Sequence, residues 1–194
     1  LPLNLWFATP VFLGAIIIFQ VQPLLARRIL AWFGGGASVW TACMLFFQAA
    51  LLGGYLYAHL GLRRLRGRWF AGVHGALLVA SLAFLPLMPD ERWKPSGPEE
   101  PVWRILLLLT ATVGLPYLVL ASTSPVMQAL FSRRYPGRSP WRLFALSNLG
   151  SMLGLLSYPV AVEPFLALRE QSWMWSGLFV AYAICAAIVV LPAK

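Results

Sequence analysis

Apolar runs of about twenty residues, separated only by short polar connections, leave this chain little choice of fold. A bilayer core about 30 Å thick is crossed by roughly 20 mostly apolar residues in a helix. Inside hydrocarbon, only a helix or a closed barrel satisfies its own backbone polar groups. Barrel strands are about ten residues long and alternate in polarity, and no such alternation runs through these segments. The runs fall at about 5–31, 39–60, 69–88, 102–131, 141–161 and 172–191. The expected fold is an all-α membrane protein, with residues 1–194 forming a single domain of six transmembrane helices and no soluble domain in the chain. Charged residues make up 11% of the sequence, against about 25% in soluble domains. Pro23 and Pro125 lie inside the two longest runs, where a missing backbone donor predicts bent or broken helices.

Charge gives the direction. One face would hold the N-terminus, the 2–3 loop, the 4–5 loop and the C-terminus, with Arg63, Arg64, Arg66, Arg68, Arg133, Arg134, Arg138, Arg142 and Lys194 and no acid. The other would hold Arg27, Arg28, Arg92, Lys94, Arg104 and Arg169 against Asp90, Glu91, Glu99, Glu100, Glu163 and Glu170. Short cytoplasmic loops retain Lys and Arg, so the expected topology is N-in/C-in. The net charge of +9 then meets anionic lipid headgroups on the cytoplasmic face. Nucleic acid is not the expected partner, because these arginines flank apolar helices instead of forming a basic surface interleaved with aromatics. Cys43 and Cys185 both sit in apolar runs and build neither a disulfide framework nor a zinc site. Leu1 is not an initiator methionine, so the natural chain is expected to begin earlier. Nothing near residue 30 has the small-residue character of a signal cleavage site.

The two halves, 1–90 and 100–194, share landmarks. Gln22-Pro23, Arg27-Arg28, Trp40, Gln48 and Tyr55 are echoed by Ser124-Pro125, Arg133-Arg134, Trp141, Asn148 and Tyr158. Trp69, Gly72 and Leu85-Pro86 are echoed by Trp175, Gly177 and Leu191-Pro192. A unit of three spans would repeat with inverted orientation, a common transporter plan with its site at the repeat interface. The spacings drift by several residues, and apolar sequences also resemble one another through composition alone.

Three blocks carry a resemblance. They are Gln22-Pro23-Leu24 through Gly34-Gly35, Trp40, Gln48 and Gly54-Tyr55 to Tyr57-Ala58-His59; Gly114-Leu115-Pro116 with Ser122-Thr123-Ser124-Pro125; and Ser147-Asn148-Leu149-Gly150-Ser151 with Tyr158-Pro159 and Glu163-Pro164. Together they resemble the membrane region of the bacterial spermidine synthase-like membrane proteins. The resemblance implies a multi-span segment of the bacterial inner membrane that precedes a cytoplasmic aminopropyltransferase-like domain. Within these residues the Gly34-Gly35-Gly36 cluster follows an apolar helix, whereas a dinucleotide-type loop follows a strand. Transferase chemistry is therefore not assigned to this segment, and it is not expected to be an enzyme by itself.

Polar groups inside apolar spans are costly and usually face the bundle interior. Gln20, Gln22, Gln48, Ser122, Thr123, Ser124, Gln128 and Asn148 are the candidates for a polar cavity at the two proline-interrupted helices. The competing reading is interhelical hydrogen bonding. Arg27 and Arg28, near the Gly34–Gly36 turn, are candidate contacts for a phosphate or carboxylate, or they snorkel to the interface. His59 and His74 are the only imidazoles and so the only candidate axial ligands for haem or chlorophyll; an interfacial or hydrogen-bonding role is the expected one, and no cofactor is expected. The nine tryptophans, including Trp6, Trp32, Trp69, Trp93, Trp103, Trp141 and Trp173, are read as falling near span ends in an aromatic belt. The chain is thus expected to anchor, and to feed substrate to, a transferase-like domain or partner. Two alternatives stay open: an accessory subunit of a larger membrane complex, such as an energy-transducing one, and a transporter of a small polar solute.

Overall fold

The computed structural model describes residues 4–95, 97 and 101–192. Glu99, Glu100 and Lys194, used above to assign the two faces, lie outside the described residues. Among the described residues the regular structure is entirely helical: α1 (Leu5–Phe33), α2 (Ala37–Arg64), α3 (Gly67–Leu82), α4 (Pro101–Leu109), α5 (Leu115–Arg134), α6 (Trp141–Ser157) and α7 (Leu168–Val190), with a short 3-10 turn at Glu91–Trp93. Five helical stretches are long and apolar enough to cross a membrane: Leu5–Phe33, Ala37–Arg64, Pro101–Arg134, Trp141–Val162 and Leu168–Val190.

The expected third span, 69–88, is shorter than its apolar run. α3 has 16 residues, roughly 24 Å at 1.5 Å per residue, and the chain leaves the helix after Leu82. Leu85 precedes Pro86 and Met88 precedes Pro89, and a residue before proline is pushed out of the α region. The segment nevertheless stays packed: Leu87 is buried, and its carbonyl accepts a hydrogen bond from Ser172 Oγ at 2.9 Å.

Of the bent or broken helices expected at Pro23 and Pro125, neither is broken. α1 runs unbroken through Pro10 and Pro23, and α5 through Pro125. Neighbouring helices and hydroxyl side chains allow a lost backbone bond to be tolerated in such a setting. The irregularities fall elsewhere, as single π-helical turns at Thr110–Gly114, joining α4 to α5, and at Tyr158–Val162, closing α6. Each lies beside or around a proline, Pro116 and Pro159. The wider turn relieves the clash between a proline ring and the carbonyl four residues back.

Packing is interleaved between the halves of the sequence. α1 packs most extensively on α6 and then on α7; α2 packs on α5 and α4; α5 packs on α3. Sequential neighbours touch far less, α2 and α3 only slightly. Of the five long stretches, Leu5–Phe33 and Pro101–Arg134 are the most enclosed and Trp141–Val162 the least. α6 turns Phe144, Leu149, Met152 and Leu156 outward, and α2 turns Met44, Leu45, Leu52 and Leu56 outward. So broad an apolar exterior suits contact with lipid. Two glycines make the tightest seats. A Cβ at Gly154 would lie 2.6 Å from the carbonyl oxygen of Ile16 on α1, and one at Gly54 would lie 2.5 Å from Ala121 Cβ and 2.8 Å from the Leu118 carbonyl oxygen on α5.

The two ends of the bundle differ in charge. Arg133 Nη2 donates to the Leu62 carbonyl at 2.9 Å, and one cavity is walled by Asn4, Gly67, Arg134 and Pro192. The α1 start, the α2–α3 turn, the α5 end and the α7 end therefore share one pole. Arg27 pairs with Glu163 and Arg28 with Glu91, each at 3.7 Å, which brings the α6–α7 turn and the 85–95 segment to the other. Arg63-Arg64 and Arg133-Arg134 sit in the last turns of α2 and α5, where cations complement the helix dipole. At Gly34 the backbone reaches φ 82°, closing α1 with its N–H on the Leu30 carbonyl. That left-handed conformation favours glycine and starts the turn into α2.

Candidate functional site

The eight polar residues proposed for a cavity do not converge on one. Gln20 is buried and donates from Nε2 to Ser157 Oγ on α6 at 3.1 Å. Two residues on, Gln22 donates from Nε2 to Tyr117 Oη on α5 at 2.9 Å. A spacing of two turns a helix through about 200°, so the two amides pin α1 to different neighbours. Ser122 and Thr123 are buried, and both donate to the Val119 carbonyl within their own helix, at 2.7 and 3.2 Å. Thr123 Oγ1 also shares a short hydrogen bond with Tyr182 Oη of α7. Ser124 accepts from Gln128 Nε2 at 2.9 Å, one turn away on the same helix. Gln48 and Asn148 are exposed on the outward faces of α2 and α6.

What the interior contains is a set of single polar pins, one or two per helix pair. Besides those above, Trp175 Nε1 donates to the Ile17 carbonyl at 2.8 Å, linking α7 to α1. Tyr158 Oη donates to Gln171 Oε1 at 2.9 Å, and Tyr57 Oη lies 3.2 Å from His74 Nδ1. Hydrogen bonds of this kind are worth about 0.6 kcal/mol each in membrane proteins, and their geometry selects one packing among many apolar ones. Two buried polar atoms among the described residues have no hydrogen-bond partner, Gln20 Oε1 and His74 Nε2. Sequence reasoning missed the tyrosine and tryptophan partners Tyr117, Tyr182 and Trp175. The available signal for the two tyrosines was their position well inside an apolar run; Trp175, close to the start of its run, carried no such signal.

The histidines are separated. His74 is buried on α3, stacked against Tyr57 and Phe70 with ring centroids at 5.9 and 5.6 Å. His59 is exposed on α2. Arg27 and Arg28 each have a carboxylate at 3.7 Å, and Arg28 lies over the Trp32 ring with 4.8 Å to its centroid. Such half-exposed pairs contribute about 0–1 kcal/mol. Trp6, Trp69, Trp103, Trp141 and Trp173 are exposed near helix ends, whereas Trp175 is buried.

A polar concavity lies at the arginine-rich pole. It measures 590 Å³ and is bounded by the ends of α1, α3, α5 and α7. None of the eight candidate polar residues lines it. No protein-family profile, no curated protein and no solved structure matches the chain.

Proposed function

We propose that this chain is the six-helix inner-membrane module of a spermidine synthase-like membrane protein, with both termini in the cytoplasm. It anchors a cytoplasmic transferase-like domain or partner and feeds substrate to it. The module itself is non-catalytic and holds no cofactor. The observation that carries this reading is the sorting of charge. The described carboxylates Asp90, Glu91, Glu163 and Glu170 belong to the segments at one pole, and the arginine-rich turns belong to the other. Positive loops are retained in the cytoplasm, and a C-terminus on that side suits a cytoplasmic partner. On this reading α3 is a sixth, thin span, extended to the outer surface by the packed segment 83–88.

The cross-packing supports the inverted three-helix repeat. The first helix of each half seats on the second and third helices of the other, α1 on α6 and α7, α5 on α2 and α3. Gly54 and Gly154 make equivalent close contacts, six residues beyond Gln48 and Asn148 respectively.

The test is sidedness together with reading frame. In a background lacking Cys43 and Cys185, Arg66→Cys is protected from a membrane-impermeant maleimide in intact cells, and Glu91→Cys is labelled. The gene is expected to encode a nucleotide-binding, transferase-like domain after Lys194, or such a protein to co-purify in fixed proportion. Labelling of Arg66→Cys from outside overturns the topology; absence of any transferase-like domain or partner overturns the anchoring role.

A second reading, an accessory subunit of a larger membrane complex, is favoured by Gln48 and Asn148. Both are mid-helix amides on outward faces, where lipid offers no hydrogen-bond partner. On that reading a transmembrane protein co-purifies with the chain, and Gln48→Leu with Asn148→Leu releases it.

A further inference from the structure

We infer that the cavity at the arginine-rich pole is a specific site for a membrane lipid with a phosphate-bearing, net-negative headgroup. The inference rests on the cavity's own geometry and not on the transferase reading. Its volume of 590 Å³ falls within the roughly 300–1,000 Å³ of built small-molecule sites.

Its walls divide by chemistry. The lining includes Arg133, Arg134, Tyr135 and Asn4, with no carboxylate in it among the described residues. Arg133 is held in place by its bond to the Leu62 carbonyl. Asn4 Nδ2 donates to Tyr135 Oη at 2.6 Å, which leaves the phenolic proton to be donated elsewhere. Arg138, outside the lining, stands nearby with its guanidinium 5.4 Å from the centroid of the Tyr135 ring. Arginine at such a spot offers several donors in a fork that matches phosphate oxygens. Most of the remaining lining is apolar, with Phe7, Phe70, Leu130 and Ile188. Phe7 is fixed there by edge-on contacts with Phe131 and Tyr135.

A free phosphate would use the polar lining and leave the apolar lining wet. An uncharged amphiphile would cover the apolar lining and leave the guanidinium groups without an anion. An anionic phospholipid satisfies both, its headgroup at the arginines and the upper part of an acyl chain along Leu130 and Ile188. The site lies at helix ends, the level at which headgroups reside, and clustered basic residues there attract anionic lipid. The arginines of the α2–α3 turn, Arg63, Arg64, Arg66 and Arg68, do not line the cavity.

Native mass spectrometry of the purified chain, with phosphatidylglycerol or phosphatidylcholine added, tests this. Phosphatidylglycerol is retained as a single bound lipid and phosphatidylcholine is not. Arg134→Gln weakens retention about fivefold, and Arg64→Gln with Arg66→Gln, on the same pole outside the cavity, leaves it unchanged. Ile188→Trp fills the apolar part and removes the bound lipid with every arginine intact; Ile188 is 48% exposed, so the larger ring is accommodated without repacking the bundle. Equal loss from the Arg64/Arg66 pair overturns the site in favour of diffuse attraction. Displacement of the lipid by inorganic phosphate, with Ile188→Trp indifferent, overturns it in favour of a small-anion site.

Discussion

Gly154→Ala is expected to destabilise the purified protein by about 1–3 kcal/mol, and Gly54→Ala by a similar amount. The added methyl group at Gly154 meets backbone of α1, at 2.6 Å from the Ile16 carbonyl oxygen. A backbone atom cannot swing away as a side-chain tip can, so α6 must lift off α1 along its length. At Gly54 the clash is with the Leu118 carbonyl and Ala121 Cβ of α5, and the same separation follows. Gly72→Ala and Gly177→Ala are the controls. Both lie within helices, with nothing within 4 Å of the added atom, so alanine's higher helix propensity makes them neutral or stabilising by up to about 1 kcal/mol. Thermal unfolding of the four variants in one mild detergent separates the pairs. If Gly154→Ala melts with the controls, the close α1–α6 contact is wrong.

Trp175→Ala is expected to be the most damaging single truncation, costing about 3–5 kcal/mol. The indole is 1% exposed and stacks on Phe179 with centroids 5.3 Å apart. Its removal opens a void between α7 and α1 and takes away the hydrogen bond from the indole to the Ile17 carbonyl. Trp175→Phe separates the two losses: most of the ring volume stays and only the bond goes, at a cost of about 0.5–1.5 kcal/mol. Denaturant-induced unfolding followed by circular dichroism reads both. A Trp175→Phe variant as unstable as Trp175→Ala would mean that the hydrogen bond, not the packing, carries the α1–α7 contact.

The helices themselves were largely legible in the sequence, because the length of an apolar run is a one-dimensional property. The first run was expected at 5–31 and the helix is Leu5–Phe33; the fifth was expected at 141–161 and the helical stretch is Trp141–Val162. The third run is helical only over Gly67–Leu82, because apolar character continues past Leu82 while Pro86 and Pro89 keep the helix from following it. Proline effects were partly legible for a related reason. Sequence shows where a donor is missing, but neighbouring helices decide how the backbone responds: the helical pattern changes beside Pro116 and at Pro159 and continues through Pro23 and Pro125.

The candidate polar residues were found as residues and not as a site. Helices that are apolar on every side carry no periodic stripe to say which face is buried. Gln20 and Gln22, close in sequence, consequently turned out to serve different helices, and Gln48 and Asn148 turned out to face outward. The arginine-lined cavity was half visible. The charge run at Arg133-Arg134 was plain in the sequence, but the apolar wall opposite it is assembled from α1, α3 and α7, and no local pattern announces that convergence.

The interleaving of the halves has a consequence for synthesis. α1 is made first, yet the helix that supplies its tightest seat, α6, begins at Trp141, about a hundred residues later. At cellular translation rates of about 5–20 residues per second, α1 waits on the order of 5–20 s for its main partner to leave the ribosome. Until then α1 has only its lesser contacts, chiefly with α5. The nascent chain closes only when its second half arrives, and a ribosome that stalls before α6 leaves behind a product whose first helix lacks its two most extensive partners, α6 and α7.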